Sequence, residues 1–263
     1  MNRLKGKNVI ITGASGGIGA EIAQQCAEKG ANLVLLARSK DKLDTLKREL
    51  ENRYSIQVKV YQLDVANKVR VEQVFKDIFA RLGHVDVLVN NAGFGIFREA
   101  HAVQLDEIQA MFDVNVIGLM ACTLMVLPHM RKRKSGHIIN IASQAGKLAT
   151  PKSSVYSATK HAVLGFSNSL RMELADFHVY VTTVNPGPIA TNFFQIADEQ
   201  GTYVKNVQKI MLDPKYVAEK IVAAMLTPTR EINLPRWMNA GSVIYALFPR
   251  AFERIGKRFF DRK

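Results

Sequence analysis

A tyrosine and a lysine stand four positions apart in VYSATKHAVLGF, residues 155–166. Helical spacing puts Tyr156 and Lys160 on one face, with Ala158, Ala162, Val163, Leu164 and Phe166 around them. A free phenol has a pKa of about 10, so a tyrosine that exchanges protons at neutral pH needs a neighbouring positive charge to lower it. A lysine one helical turn away supplies that charge. The same spacing also suits a lysine that snorkels past an amphipathic tyrosine, and the pair alone does not separate the two readings.

A second feature with chemical meaning is TGASGGIG, residues 12–19. It follows an apolar run and leads into a helical pattern, the context in which a glycine turn cradles phosphate. Gly13 makes the tight turn, Gly17 lets the backbone approach a pyrophosphate, and Gly19 permits close helix packing, with free N–H groups facing the anion and Ile18 among the expected cofactor-binding residues. Where an acid after the second strand would bind a ribose 2′-hydroxyl, this chain has Ala37-Arg38-Ser39. A carboxylate there would repel a 2′-phosphate, whereas Arg38 pairs with one, so the expected cofactor is NADP(H) rather than NAD(H). Ser15 and Ser39 can add hydroxyl contacts.

These residues need a scaffold, and the patterning supplies one. Short apolar runs at 8–12, 32–37, 57–63, 86–90, 137–142, 179–184 and 231–234 alternate with helical periodicity at 17–29, 40–53, 67–82, 104–133, 154–176 and 213–226. Gly30, Gly83 and Gly136 are expected helix stops. Alternation of this kind predicts an α/β Rossmann fold, a doubly wound seven-stranded parallel sheet flanked by helices, with ligands outside the carboxyl ends of the strands. Residues 1–235 form the expected catalytic domain and 236–263 a basic extension.

The ordered set resembles the short-chain dehydrogenase/reductase family across residues 6–235. It comprises TGASGGIG (12–19), Asp64-Val65, NNAG (90–93), Asn115 with Ser143 and Tyr156-x-x-x-Lys160, and PGPIAT (186–191). The resemblance implies that Tyr156 donates a proton to a carbonyl oxygen as hydride arrives at carbon, and that Ser143 holds the same oxygen. It implies that Lys160 also binds the nicotinamide ribose, and that Asn115 distorts its helix and holds a water leading from Lys160 to solvent. Asp64, Val65, Asn91, Ala92 and Gly93 would line the adenosine half of the cofactor. Pro186, Gly187, Ile189 and Thr191 would face the nicotinamide.

The long connection 188–213 reads as an active-site lid, made apolar by Phe193, Phe194, Ile196, Tyr203, Val204 and Ile210. It suits a medium-sized hydrophobic ketone or aldehyde, and the same residues could equally pack the loop down. A 3-oxoacyl thioester reductase and a non-catalytic NADP-sensing regulator are the alternatives. The six histidines show no ligand spacing, so no metal is expected, and His161 should face away from Lys160.

Two distant cysteines, Cys26 and Cys122, read as buried thiols of a cytoplasmic protein, and the early strand leaves no room for a cleaved leader. The apolar run 116–127 is shorter than the ~20 residues of a spanning helix and reads as a buried or interface segment. The net charge is +13. RKRK (131–134) reads as a solvated helix cap rather than a nucleic-acid patch. Residues 236–263 carry seven basic residues against Glu253 and Asp261, with Phe252, Ile255 and Phe259 on one helical face. That tail either packs on a protein surface or makes peripheral contact with an anionic membrane, using Trp237, Phe248 and Phe260 as anchors. The apolar helices 104–133 and 154–176 match those that pair in family homodimers and homotetramers.

Overall fold

The computed structural model describes residues 2–198 and 207–260, with residues 195, 196 and 255–260 described by their backbone alone. Seven parallel strands form one sheet in the order β3-β2-β1-β4-β5-β6-β7. The strands are β1 (Asn8–Thr12), β2 (Asn32–Ala37), β3 (Val58–Gln62), β4 (Val87–Asn90), β5 (Gly136–Ile141), β6 (Val179–Pro186) and β7 (Glu231–Leu234). Strand order reverses between β1 and β4, which opens a crevice at their carboxyl ends.

Both sheet faces are covered, which explains why the strands are almost continuously apolar. Val9, Ile11, Leu33, Leu35, Val87 and Val89 point to one side. There they pack under α1 (Gly17–Glu28), α2 (Lys40–Arg53) and α8 (Pro214–Ala224), whose buried residues include Ile22, Leu43 and Ile221. The alternate residues Ile10, Val34, Leu36 and Leu88 point to the other side. They meet α3 (Lys68–Leu82), α5 (Leu119–Arg133) and α6 (Ser154–Glu173) through Phe75, Ile78, Cys122, Val126 and Leu170. Each such fully buried side chain contributes about 1.5–3 kcal/mol.

The helix expected over 104–133 is interrupted. It comprises α4 (Leu105–Phe112), a π-helical turn at Asp113–Gly118, and α5. The stretch Leu105–Arg133 is long and apolar enough to cross a membrane by length and composition. Here Cys122, Val126 and Met130 bury it against the sheet. Gly83 caps α3 with φ 72°, as expected of a helix stop. Gly136 does not act as one: Lys134 takes the left-handed conformation that ends α5, and Gly136 opens β5 beneath Met130.

The RKRK cluster is exposed, yet two of its members are engaged. Arg133 bonds the buried Asp86 at 3.0 Å and Arg131 lies over the Phe177 ring. Both cysteines are buried free thiols, pushed up to about 12 by desolvation, and therefore poor nucleophiles. After α7 (Phe193–Ala197) and α8, the chain ends in α9 (Arg236–Leu247) and α10 (Pro249–Phe260).

Candidate active site

The glycine turn is held in shape from behind. Thr12 closes β1, and its hydroxyl accepts from the N–H groups of Asn91 and Ala92, each at 3.0 Å. The Asn91 amide donates to the Thr12 and Gly13 carbonyls at 3.0 and 3.1 Å. Asn91 therefore braces the turn with the side chain expected to line the nucleotide. Glycine is required at two positions. Gly13 has φ 65°, and a Cβ there would lie 2.9 Å from Ala92 Cα; at Gly19 a Cβ would lie 2.3 Å from the Gly13 carbonyl oxygen.

Gly17 has φ 54° and approaches Thr191, bringing the turn against the loop after β6. No side chain caps α1, whose N-cap is Gly16, so the backbone donors of its first turn face the crevice. This cradle fits a dinucleotide pyrophosphate. Ile18 packs its side chain on the core and offers the site only its backbone.

Arg38 is exposed just beyond β2, its carbonyl accepting from Gln62 Nε2 at 2.9 Å. Ser39 is the N-cap of α2 and uses no side-chain cap bond. Ser15 lines a surface hollow with Lys42 and Thr45, and also with the carboxylates of Asp41 and Glu49. Asp64 folds onto the Ala66 N–H at 3.0 Å, whereas Val65 is buried against Gly118. Gly93 sits where a Cβ would lie 3.0 Å from Asn115 Oδ1 and 3.7 Å from Lys160 Nζ.

Asn115 occupies the π-helical turn. Its Oδ1 accepts from the Phe94 N–H at 3.0 Å, and its Nδ2 donates to the Phe94 carbonyl at 2.8 Å and to Thr159 Oγ1 at 3.2 Å. Thr159 in turn donates to the Tyr156 carbonyl at 2.7 Å. The asparagine thus ties the loop after β4 to the helix that carries Tyr156 and Lys160. The extra residue of a π turn aims its side chain at that loop.

Lys160 is buried, donates to the Ile141 carbonyl at 2.9 Å, and lies 5.6 Å from the centre of the Tyr156 ring. Burial lowers its pKa to about 8. Ser143, two residues past Ile141, accepts from the Ala145 N–H at 3.1 Å and makes a long 3.4 Å contact to the Pro186 carbonyl. A Cβ at Gly146 would lie 2.9 Å from the Lys160 carbonyl, so the serine loop is seated directly on α6. His161 is exposed, with its Nδ1 2.8 Å from the Ser157 carbonyl.

An aromatic wall closes one side of Tyr156. Phe97 meets the tyrosine edge-on at 5.5 Å, Phe193 of α7 lies 5.8 Å from it, and Phe194 packs on both phenylalanines. The Phe97 N–H donates to the Ala197 carbonyl at 2.8 Å, fastening α7 to this wall. Phe97 escaped the sequence reading because it belongs to no motif. Of the expected lid residues, Tyr203 and Val204 lie outside the described residues, as does the Ile196 side chain, while Ile210 faces solvent.

The loop after β6 is pinned beneath the wall. Gly187 donates to the Leu234 carbonyl at 2.7 Å and approaches the Met238 thioether of α9. Ile189 is buried in the core, so only its backbone can face a ligand. The Thr191 hydroxyl accepts from the Phe193 N–H at 3.3 Å. Lys147 was also missed. It donates to Glu231, to Asn233 at 3.0 Å and to Asn239 at 3.2 Å, linking the serine loop to β7 and α9. Among the described residues no group of three or more histidine, cysteine or acidic side chains could hold a metal ion.

Known proteins resemble this chain in sequence and fold. The family described as short chain dehydrogenase matches residues 7–201. An uncharacterized oxidoreductase of Staphylococcus aureus strain N315 is 37% identical over 234 residues, 89% of this chain and 96% of that protein. An alcohol dehydrogenase of the archaeon Thermococcus sibiricus, solved with 5-hydroxy-NADP, superposes with a TM-score of 0.80 at 29% identity, over 88% of this chain and 96% of that one. A family structure from Burkholderia phymatum, solved with NAD, shares the fold at a TM-score of 0.85 and 24% identity, over 94% and 95%. With a braced glycine turn, a buried lysine beside a tyrosine and a serine loop seated on the same helix, the chain belongs to the short-chain dehydrogenase/reductase family of oxidoreductases.

Proposed function

We propose that the protein is an NADPH-dependent reductase of hydrophobic ketones or aldehydes, reversible in principle. The observation that carries this reading is Lys160, buried beside the Tyr156 ring at the carboxyl edge of the sheet. A lysine kept at that cost points to a chemical role for its charge.

The nicotinamide cofactor, when bound, supplies the hydride of the reduction. The glycine turn and the N-terminus of α1 would hold its pyrophosphate. Arg38, with Ser15 and Ser39, would hold a 2′-phosphate, and Ala37-Arg38-Ser39 puts no carboxylate at the end of β2. Lys160 would hold the ribose hydroxyls and keep its positive charge near the Tyr156 hydroxyl, which favours phenolate and makes the phenol a usable acid. Tyr156 would give its proton to the carbonyl oxygen. Ser143, whose bond to Pro186 is long, would turn its hydroxyl to the same oxygen as charge develops there. Asn115 would keep the two loops in register.

Phe97, Phe193 and Phe194 make one wall of the substrate space apolar, which supports a hydrophobic carbonyl over a small acid or a sugar. The exposed Leu124 on α5 and Met172 on α6 support pairing of these helices in a homodimer or homotetramer. Two reduced, buried cysteines support a cytoplasmic address. A carbonyl panel that includes an acetoacetyl thioester, run with NADPH and NADH in parallel, tests the reading. Turnover of apolar ketones or aldehydes with NADPH supports it; turnover of the thioester alone, or of nothing, overturns it.

A further inference from the structure

Helix α9 is amphipathic the wrong way round for a helix covered only by its own chain. Its inward face carries Met238 against Gly187, Asn239 accepting from Lys147, and the buried Ser242. Its outward face carries Trp237, Val243, Ile244 and Leu247, continued by Phe248, and all five are between 51% and 66% exposed. Trp237, the exposed Ala240, Ile244 and Leu247 recur every three to four residues, so this is one continuous stripe rather than scattered exposure.

Of the expected apolar face of α10, one side chain is described. Phe252 turns inward onto Tyr245, with ring centres 5.4 Å apart, and the side chains of Ile255, Phe259 and Phe260 lie outside those described.

Charge selects the occupant. Arg236, Arg250 and Arg254 are exposed on α9 and α10, and Glu253, the acid among the described residues of these two helices, accepts from the Tyr245 hydroxyl. Over 236–263 the sequence holds seven basic residues against two acidic ones. A two-fold pairing of this patch with a second copy would set each positive cluster near its twin. An anionic lipid surface attracts the same cluster and accepts the same apolar stripe, with a tryptophan at its end suited to the headgroup boundary.

We propose that the outward face of α9 docks on anionic lipid bilayers. The inward face of that helix contacts the loops bearing Ser143 and Gly187 through Lys147 and Met238, so docking sets the catalytic crevice beside the bilayer.

Trp237 is the only tryptophan in the chain, so its emission reports the docking without a label. The full-length protein is titrated with vesicles of phosphatidylcholine alone or mixed with phosphatidylglycerol, with sedimentation measured in parallel. Docking predicts a blue shift and co-sedimentation with the anionic vesicles, reversed by high salt, and neither with the neutral ones. Ile244→Asp with Leu247→Asp should abolish both signals with unchanged melting temperature. Arg250→Glu with Arg254→Glu should weaken binding at least about tenfold. No binding to anionic vesicles, equal binding to neutral ones, or indifference to both double variants overturns the proposal. A lipid-independent blue shift that grows with protein concentration also overturns it, because the cover is then a second copy.

Discussion

The Lys160 ammonium lies 5.6 Å from the centre of the Tyr156 ring and bonds the Ile141 carbonyl, with no carboxylate partner among the described residues. Keeping it there costs stability, since its pKa falls from 10.5 to about 8 through desolvation. The native state gives up this proton before the unfolded state does, so the penalty is full below pH 8 and is relieved as pH rises towards 10.5.

Lys160→Met should therefore lose carbonyl reduction while gaining stability. The relieved desolvation amounts to roughly 3 kcal/mol, less about 1 kcal/mol for the lost bond to Ile141. Thermal denaturation at pH 7 should show a higher melting temperature, and the gap from the parent should narrow between pH 8 and 10.5. A variant less stable than the parent at pH 7 would contradict this assignment.

Arg38→Asp should reverse the cofactor preference. Removing a charge-assisted bond to the 2′-phosphate and adding repulsion lowers kcat/KM for NADPH by about 10- to 100-fold, while the value for NADH holds or rises. Steady-state kinetics with both cofactors read this directly. Unchanged selectivity would assign the phosphate to other residues.

His137 should make the protein acid-sensitive. It is buried in β5, accepts from the Leu226 N–H at 2.9 Å through Nδ1, and so donates from Nε2 to Thr182. Burial lowers its pKa from 6.5 to about 3. The unfolded chain binds a proton there that the native chain refuses, so stability falls as pH drops from 6.5 towards 3. Urea denaturation of His137→Asn, which keeps one donor and one acceptor, should show a stability slope shallower by up to about 1.4 kcal/mol per pH unit. Parallel slopes for the two proteins would remove His137 from the acid response.

Much of the scaffold was legible because a parallel sheet covered on both faces writes itself as apolar runs. Each of the seven strands lies within two residues of its expected bounds. The break in the 104–133 helix was not, because it answers to Phe94, 21 residues from Asn115 in the chain, and periodicity reports only local spacing. Asn91 shows the same limit. Its motif marked a site, while only the fold reveals that its amide serves the glycine turn. Phe97 and Lys147 act through contacts with distant segments and carry no local signature. In the tail, composition revealed the charge but not the exposed stripe on α9, nor that Phe252 packs on Tyr245.

The central claim is that Tyr156 delivers the proton, and Tyr156→Phe tests it most directly. With the best carbonyl substrate and NADPH, the variant should keep KM within a few-fold and lose about 100- to 10,000-fold in kcat. It should also bind NADPH and melt like the parent. A folded, cofactor-binding variant that reduces the same substrate at the parental rate would contradict the account.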